Sequence, residues 1–382
     1  MKKMLSILMI LLTLFSAVSQ VYAIYDPKVV PNNKFGIHIL FPSEIPQAAR
    51  LINSSGGDWG YVVIPLQYQD RDLEKWQKFL DDCQTYHVIP IIRLSTEGYW
   101  KNTNVWRKPS DSDILDLANF LNSLSWPVKN RYIVLFNEMN RSDEWGGEPP
   151  SPYEYSDLAL YAIEAFKNTN PNFYLILGGL DNASPNDGVK YMDNFVYLRE
   201  MGKYNPEVFK KADGITSHSY PNPAFAQPPS TTKLEGTSTY IFERELVKSY
   251  AGVDKPVFIL ETGWDATKIS QDTISAYYKV ATNSWDQDES VMVFTPFLLS
   301  SQNGAFDKFS FTEGGSFKEF AKNYQAIPKT KGQPEKTPFK AKFSSSNISI
   351  FPGRKFEVLV MADPLSSDIM KSYFKTLFVI GK

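Results

Sequence analysis

The 382-residue sequence is poor in the residues on which several kinds of active site depend. It contains one cysteine, Cys83, and three histidines, His38, His87 and His218, with no His-x-His or His-Glu-x-x-His arrangement. A lone cysteine cannot form an intramolecular disulfide, and these histidines do not have the spacing of zinc ligands. The sequence also has neither a Gly-x-Ser-x-Gly elbow nor a Walker-type phosphate loop. We therefore expect a functional site without a metal and without a cofactor.

An excess of charge of one sign is also missing. The chain has 40 Lys and Arg residues against 42 Asp and Glu residues, which gives a net charge of -2, and no long run of like charge. Proteins that bind polyanions usually carry a basic surface, so we do not expect nucleic acid as a partner. The hydrophobic content of 43% is enough for one large core and a small appendage. We expect a monomer.

Only the N-terminus carries a long apolar run. Lys2 and Lys3 precede the apolar stretch from Met4 to Val18, and a small residue, Ala23, offers a cleavage point. This is the pattern of a signal peptide, so we expect residues 1–23 to be removed and the protein to be secreted. An uncleaved N-terminal anchor is the alternative. No later stretch approaches the roughly 20 apolar residues of a spanning helix, so we expect no membrane span in the mature chain.

Beyond the N-terminus, short apolar runs alternate with helical patterns. The candidate strands are residues 35–41, 59–64, 88–94, 132–137, 173–178, 214–217, 257–261 and 291–297. The clearest amphipathic segments between them are residues 73–86, 114–124, 153–167, 240–250 and 273–285. Repeated strand and helix implies parallel strands, and eight such units predict an α/β fold, a (β/α)8 TIM barrel, over residues 34–326. An open doubly wound sheet is the main alternative, but Pro42-Ser43-Glu44 stands where its glycine-rich loop would follow the first strand.

Shorter segments flank the predicted barrel. Residues 24–33 form a lead-in, and the polar, proline-bearing residues 327–338 read as a linker. Within residues 339–382, the segments 348–350 and 356–360 alternate as a half-buried sheet would, which predicts a small β-rich extension. About 45 residues are marginal for an independent core, so a structural role is favoured there over sugar binding.

Two of the apolar runs end in a carboxylate. Leu135-Phe136-Asn137-Glu138 closes the fourth predicted strand, and Ile259-Leu260-Glu261-Thr262-Gly263-Trp264 closes the seventh. In a barrel all strand C-termini open onto one face, so Glu138 and Glu261 would meet there. Cleavage of a glycosidic bond requires one carboxyl group that donates a proton and a second, ionised one. The pair therefore predicts a glycosidase, and the alternative is a silent glycan-binding barrel or a scaffold of the cell envelope.

Other polar and aromatic residues are predicted at the same face. Strand one carries His38, strand three ends near Arg93, and strand six runs into His218 and Tyr220. Sugar rings stack on aromatic side chains, so tryptophans in the loops of this face are candidates for substrate binding. These are Trp100, Trp106, Trp145 and Trp264, and the loop from Arg141 to Pro152 is expected to shape the cleft wall.

With these residues the sequence resembles the glycoside hydrolases of clan A, the retaining (β/α)8 glycosidases. The resemblance covers about residues 34–325 and does not separate the cellulase-like family 5 from family 39 or a family 17-like group. It implies Glu138 as the acid/base, Glu261 as the nucleophile and Asn137 as a partner of the sugar 2-hydroxyl. It further implies that Tyr220 touches the nucleophile and that His218 lines the cleft. The implied activity is hydrolysis of a poly- or oligosaccharide by double displacement.

The sequence departs from the pattern of that clan at two places. Many members carry an arginine on strand two beside the nucleophile, whereas here the nearest candidate is Arg93 on strand three. Cellulase-like members often have a tryptophan platform after strand eight, where this sequence supplies Phe297. The Glu-Thr-Gly-Trp segment that ends at Trp264 is similar to laminarinase-like and galactanase-like families, and alone it does not decide the family.

Overall fold

The computed structural model describes residues 24–230, 232–301 and 304–337. These residues form a (β/α)8 barrel, which confirms the predicted fold class. Its eight parallel strands pair in the order of the sequence and are β1 (Gly36–His38), β2 (Gly60–Gln67), β3 (Val88–Ser95), β4 (Arg131–Leu135), β5 (Phe173–Leu177), β6 (Gly214–His218), β7 (Val257–Glu261) and β8 (Val291–Phe294). The predicted signal peptide and the predicted β-rich extension lie outside the described residues.

The last strand returns to the first and closes the barrel. Phe294 N donates to Lys34 O at 2.9 Å, and Phe35 and Phe294 form a parallel bridge. Further along the same two chain segments, His38 N donates to Pro296 O at 3.0 Å. Because all eight strands run in the same direction, their C-terminal ends surround a single opening, which is called the mouth of the barrel below.

Helices connect the strands and cover the outside of the sheet. They are α1 (Ile45–Ile52), α2 (Leu73–Thr85), α3 (Asp111–Ser123), α4 (Pro152–Thr169), α5 (Asn194–Tyr204), α6 (Glu207–Lys211), α7 (Thr239–Ala251), α8 (Gln271–Gln287) and α9 (Glu319–Ala326). Local signals start several of them: the Asp72 side chain accepts from Lys75 N, and the Ser151 side chain accepts from Glu154 N directly before a proline at the first helical position. The five predicted helical segments fall on α2, α3, α4, α7 and α8. Within the described ranges, no helix combines the length and the hydropathy needed to cross a bilayer.

The strands alternate between two apolar environments. On β3, Ile92 packs outward against the helices, while Ile89 and Ile91 belong to the cluster inside the barrel. The inner cluster is aromatic at its base, where Tyr132 on β4 meets Phe258 on β7 at a ring distance of 5.9 Å. Strands four and seven are not neighbours in the sheet, so these rings meet across the barrel interior. By the same alternation, Arg93 is the next inward position on β3 and lies at the mouth.

The segment predicted as a linker is held against the barrel as far as the structure describes it. Gly332 N donates to Asp58 O at 2.9 Å, and Thr337 N donates to Pro127 O at 3.1 Å. Lys329 caps the C-terminus of α9, because its ammonium group donates to the carbonyl oxygens of Tyr324, Gln325 and Ile327 at 2.8 to 3.1 Å. A cation at this position is favoured by the unpaired carbonyls and by the helix dipole. Burial lowers the pKa of Lys329 to about 8.

Candidate active site

The backbone after β4 turns sharply and directs Glu138 into the mouth. Phe136 and Glu138 have φ angles of +69° and +43°, in the left-handed region that non-glycine residues rarely occupy. Glu138 N donates to Gly179 O at 2.8 Å, which ties this turn to the end of β5. A Cβ atom at position 179 would lie 2.3 Å from His218 Cδ2, so only glycine fits there. Strained backbone of this kind is typical of functional sites.

The two predicted carboxylates meet at the mouth. One oxygen of Glu138, one oxygen of Glu261 and one ring nitrogen of His218 lie within 4.8 Å of one another. Glu138 follows β4, whereas Glu261 and His218 are the last residues of β7 and β6. The parallel barrel therefore brings together three residues that are far apart in the sequence.

Both oxygens of Glu138 accept from basic side chains. His218 Nδ1 lies 2.9 Å from Oε1, and Arg141 Nη1 donates to Oε2 at 3.1 Å. Burial opposes charge on His218, but Glu261 and the bond to Glu138 outweigh it and raise the pKa of the imidazole above its ordinary value. This favours an imidazolium that donates to Glu138.

Both oxygens of Glu261 also have donors. Arg93 Nη1 donates to Oε1 at 2.7 Å, and the Tyr220 hydroxyl donates to Oε2 at 3.1 Å. Burial, reinforced by the neighbouring carboxylates, raises the pKa of Tyr220 well above its ordinary value, so the phenol keeps its proton. Arg93 on β3 thus lies beside Glu261, where the sequence offered it as the nearest candidate arginine.

Asn137 is oriented by hydrogen bonds to two side chains. Its Oδ1 accepts from Arg93 Nη1 at 2.5 Å, and its Nδ2 donates to Glu144 Oε1 at 3.1 Å. Glu144 lies in the loop after β4, and burial, with a contribution from Glu138, raises the pKa of Glu144 to about 8. The amide is therefore fixed in one orientation by a guanidinium on one side and a carboxyl group on the other.

His38 lies beside Glu261 without a hydrogen-bond partner among the described residues. The imidazole is fully buried, and its Nε2 lies 3.9 Å from Glu261 Oε1. Burial first, then the charges of Arg93 and His218, lower the pKa of His38 well below its ordinary value, so the ring is neutral. The imidazole and the Phe297 ring are arranged edge to face, with their centres 5.0 Å apart. The structure thus places both residues, predicted from strands one and eight, at the mouth.

The sequence prediction is wrong for two tryptophans. Trp264 is 2% exposed, its Nε1 donates to Gln227 O at 2.9 Å, and its ring packs edge-on against Tyr278 at 4.8 Å. Trp145 is 1% exposed and packs against Tyr155 of α4. Neither indole presents a face to a sugar, because each fills the space between a loop and a helix. Trp100 and Trp106 are partly exposed in the loop after β3.

Three residues of the site were not assigned a role by the sequence. Arg141 and Glu144 lie in the loop that was expected to form the cleft wall, and Asp181 follows β5. Asp181 Oδ2 lies 3.7 Å from Arg141 Nη1. The available signal was weak: each is a charged residue a few positions beyond a strand end, which is also typical of solvated loops.

Glu138, His218 and Glu261 are spaced closely enough to share a cation. Two arginines already compensate these carboxylates, because Arg141 contacts Glu138 and Arg93 contacts Glu261. A divalent ion would have to displace at least one of these guanidinium groups. We therefore do not assign the three residues as metal ligands.

Comparison with known proteins shows relatives by fold and not by sequence. No family model matches the sequence, and no curated protein matches it. A GH128 subgroup II endo-β-1,3-glucanase from Sorangium cellulosum is 17% identical, with 77% of this chain and 98% of that chain covered at a TM-score of 0.52. A GH5_18 variant from Bifidobacterium longum, solved in complex with Manβ1-4GlcNAc, is 12% identical, with 77% of each chain covered and a TM-score of 0.52. A family 39 glycoside hydrolase from Bacteroides cellulosilyticus is 15% identical, with 80% of this chain and 62% of that chain covered at a TM-score of 0.50.

All three of these solved structures are named as members of glycoside hydrolase families. At these identities the similarity is one of fold. The resemblance to clan A that the sequence suggested is therefore confirmed for the architecture: the described chain has the (β/α)8 barrel of these glycoside hydrolases.

Proposed function

We propose that this protein is a retaining glycoside hydrolase that cleaves O-glycosidic bonds of a poly- or oligosaccharide. The observation that carries the proposal is the separation of at most 4.8 Å between an oxygen of Glu138 and an oxygen of Glu261. Retaining enzymes hold their carboxyl groups about 5–5.5 Å apart, whereas inverting enzymes need about 6.5–9.5 Å to admit a water molecule. The spacing supports direct attack on the sugar by a carboxylate.

The surroundings of the two carboxyl groups suggest their roles. Glu261, held by Arg93 and Tyr220, attacks the anomeric carbon while the bond to the glycosidic oxygen breaks and Glu138 delivers its proton to that oxygen. In the second step Glu138 takes a proton from a water molecule, the water oxygen bonds to the anomeric carbon, and the ester bond to Glu261 breaks. After the first step Glu138 is ionised and can act as a base, and after the second step Glu138 is protonated and Glu261 is free again.

The other side chains at the mouth would bind the sugar. Asn137, fixed by its hydrogen bonds to Arg93 and Glu144, keeps an N–H for the 2-hydroxyl, as the resemblance implies. His38 has two buried ring nitrogens without partners among the described residues, and a sugar hydroxyl could satisfy one of them. A carbohydrate is therefore the proposed substrate. Because the Sorangium cellulosum structure is an endo-β-1,3-glucanase, β-1,3-glucan comes first in any substrate panel.

The first test is turnover and stereochemistry. The purified protein is incubated with β-glucans, mannans, xylans and galactans, and NMR follows the anomer of the first product. We expect the anomeric configuration to be retained. Glu261→Ala should lower kcat by at least about a thousandfold, and Glu138→Ala should lose far less activity on substrates with activated leaving groups than on natural ones. Glu148→Gln, at an exposed position of the loop after β4, is the matched control.

Three outcomes would contradict the proposal. Inversion of the anomer would assign the pair to a different mechanism. Glycan binding without turnover over the whole panel would favour the silent barrel. Equal activity of Glu261→Ala, Glu138→Ala and the parent would remove both carboxylates from the chemistry.

Export is a further part of the proposal. Residues 1–23 have a basic start, an apolar run and a small residue at the end, as signal peptides do. Edman sequencing of protein recovered outside the cytoplasm should begin at Ile24. Retention of residues 1–23 on membrane-bound protein would favour the uncleaved anchor.

A further inference from the structure

Arg141 contacts the proposed acid/base at the atom that has to carry the proton. Its Nη1 donates to Glu138 Oε2 at 3.1 Å, while Oε1 of the same carboxyl group faces His218 Nδ1 at 2.9 Å. Arginine has donors but no acceptor, and it stays charged at any pH that a protein tolerates. The Arg141 guanidinium favours the ionised form of Glu138, and its N–H already occupies a lone pair of the oxygen that would carry the proton. Protonation of Oε2 therefore becomes favourable when Arg141 withdraws.

Arg141 has other partners that can hold it after such a withdrawal. Its Nη2 and Nε donate to the two carboxylate oxygens of Asp143 at 2.7 and 3.1 Å. Its Nη1, the atom on Glu138, also lies 3.7 Å from Asp181 Oδ2. Asp181 is itself held by Ala183 N and by the Ser184 hydroxyl, each at 2.9 Å. A small rotation of the guanidinium that keeps its two bonds to Asp143 would move Nη1 from the carboxylate of Glu138 to that of Asp181.

We propose that Arg141 is a positioning residue that occupies the proton-delivering oxygen of Glu138 in the free enzyme and transfers to Asp181 when the glycosidic oxygen takes its place. This inference rests on the proposed function. It assigns a different task to each partner of Glu138: His218 stays on Oε1 throughout the reaction, and Arg141 leaves Oε2 once per turnover.

The charges around Glu138 allow this exchange. The ionisable groups that face it come from strands β6 and β7 and from the loops after β4, β5 and β6, and they are His218, Glu261, Arg141, Glu144, Asp181 and Tyr220. The two basic groups favour the ionised carboxyl group and the acidic ones favour the protonated one. Moving the guanidinium away shifts that balance toward the protonated form at the step that needs it.

The test compares the pH dependence of kcat/KM in the parent, Arg141→Gln and Arg141→Lys. The alkaline limb reports loss of the catalytic proton, and removing a nearby positive charge makes that loss harder. We expect the limb of Arg141→Gln to lie about one pH unit above that of the parent. Arg141→Lys should fall between them. Arg199→Gln, on the exposed surface of α5, should leave the limb unchanged.

An alkaline limb that stays in place or moves down in an active Arg141→Gln variant overturns the inference. If the parent turns over no glycan, the proposed function has failed instead, and a ¹³C NMR titration of the Glu138 carboxyl in the free protein decides the inference. Its signal, identified by its loss in Glu138→Gln, should titrate at higher pH in Arg141→Gln than in the parent. No difference between the two titrations would overturn it. Arg141→Lys provides the same comparison if Arg141→Gln does not fold.

Discussion

The two ends of the barrel interior are built from the same strands and differ in how completely their polar groups are paired. At the base, Tyr61, Tyr132, Tyr174 and Phe258 form a closed aromatic layer with ring distances of 5.0 to 6.1 Å. The hydroxyls of this layer are paired: Tyr61 donates to Asn32 at 2.8 Å, and Tyr174 donates to Asp213 O at 2.9 Å. The base therefore satisfies both packing and hydrogen bonding.

The mouth pairs its polar groups less completely. His38 has no partner for either ring nitrogen among the described residues, and Arg93 Nε is also buried without one. Glu138 has a left-handed backbone conformation, which is energetically unfavourable for a residue other than glycine. Such features weaken a fold, and proteins retain them where a ligand completes the arrangement. Under the proposed function, the base supplies stability and the mouth supplies chemistry, and the three predictions below test that division.

The largest effect on stability is expected at the base. Phe258→Ala removes a fully buried ring between Tyr132 and Tyr174 and should lower the free energy of unfolding by about 3–5 kcal/mol. The KM of the fraction that remains folded should stay unchanged, because the ring lies far below the mouth. Urea denaturation and steady-state kinetics measure the two quantities. Leu115→Ala, at a position 44% exposed on α3, is the control and should cost much less. An altered KM in Phe258→Ala would break the division.

The second effect is a pH dependence at the mouth. Glu144 has its pKa raised from 4.5 to about 8 by burial and by Glu138, so between these pH values the folded chain holds a proton that the unfolded chain releases. The free energy of unfolding of the parent should therefore fall as the pH rises from about 4.5 to 8, relative to Glu144→Gln, which cannot ionise. We expect a change on the order of 3 kcal/mol, after allowance for the partly solvated position.

Denaturation curves of the parent and Glu144→Gln at several pH values provide this measurement. Glu313→Gln, at an exposed position of the hairpin strand Thr312–Glu313, is the control and should run parallel to the parent. Parallel curves for the parent and Glu144→Gln would show that Glu144 ionises as it does in the unfolded chain.

The smallest effect on stability is expected in residues 327–337, which pack against the barrel at the end opposite the mouth. Lys329→Met removes the donors that satisfy the last carbonyl groups of α9 and should destabilise the fold by about 1–2 kcal/mol without changing kcat. Thermal denaturation followed by circular dichroism measures the loss. Lys331→Met, two residues away and exposed, is the matched control. If both variants melt together, the contacts of Lys329 contribute nothing measurable.

Much of the architecture could be predicted because it is encoded locally. Each of the eight strands appeared as a short apolar run, and the longer helices, such as Pro152–Thr169, carried periodic apolar faces and start signals. Four helices were not among the predicted segments: Ile45–Ile52, Asn194–Tyr204, Glu207–Lys211 and Glu319–Ala326. Three of them span only five to eight residues, which contain too few turns for periodicity to be read.

The residues of the candidate site were also predictable only in part. The location of Glu138 and Glu261 at one face could be predicted because strand-end carboxylates in a parallel barrel are constrained to that face. Trp145 and Trp264 were misassigned because a loop tryptophan has the same sequence signature whether its ring faces solvent or fills a gap beside a helix. The residues 327–337 looked like a linker because their hydrogen-bond partners are more than a hundred residues away for most of their length.

The sequence by itself determined the alternation of strands and helices, and through it the face on which the two carboxylates lie, since period and strand direction are local and additive properties. Only the tertiary structure decided which groups neutralise those carboxylates. The contacts of Arg93 with Glu261 and of Arg141 with Glu138 and Asp181 depend on distances of a few ångströms between side chains from different loops and strands. Electrostatic interactions change steeply over such distances and with burial, and no local pattern in the chain records either quantity.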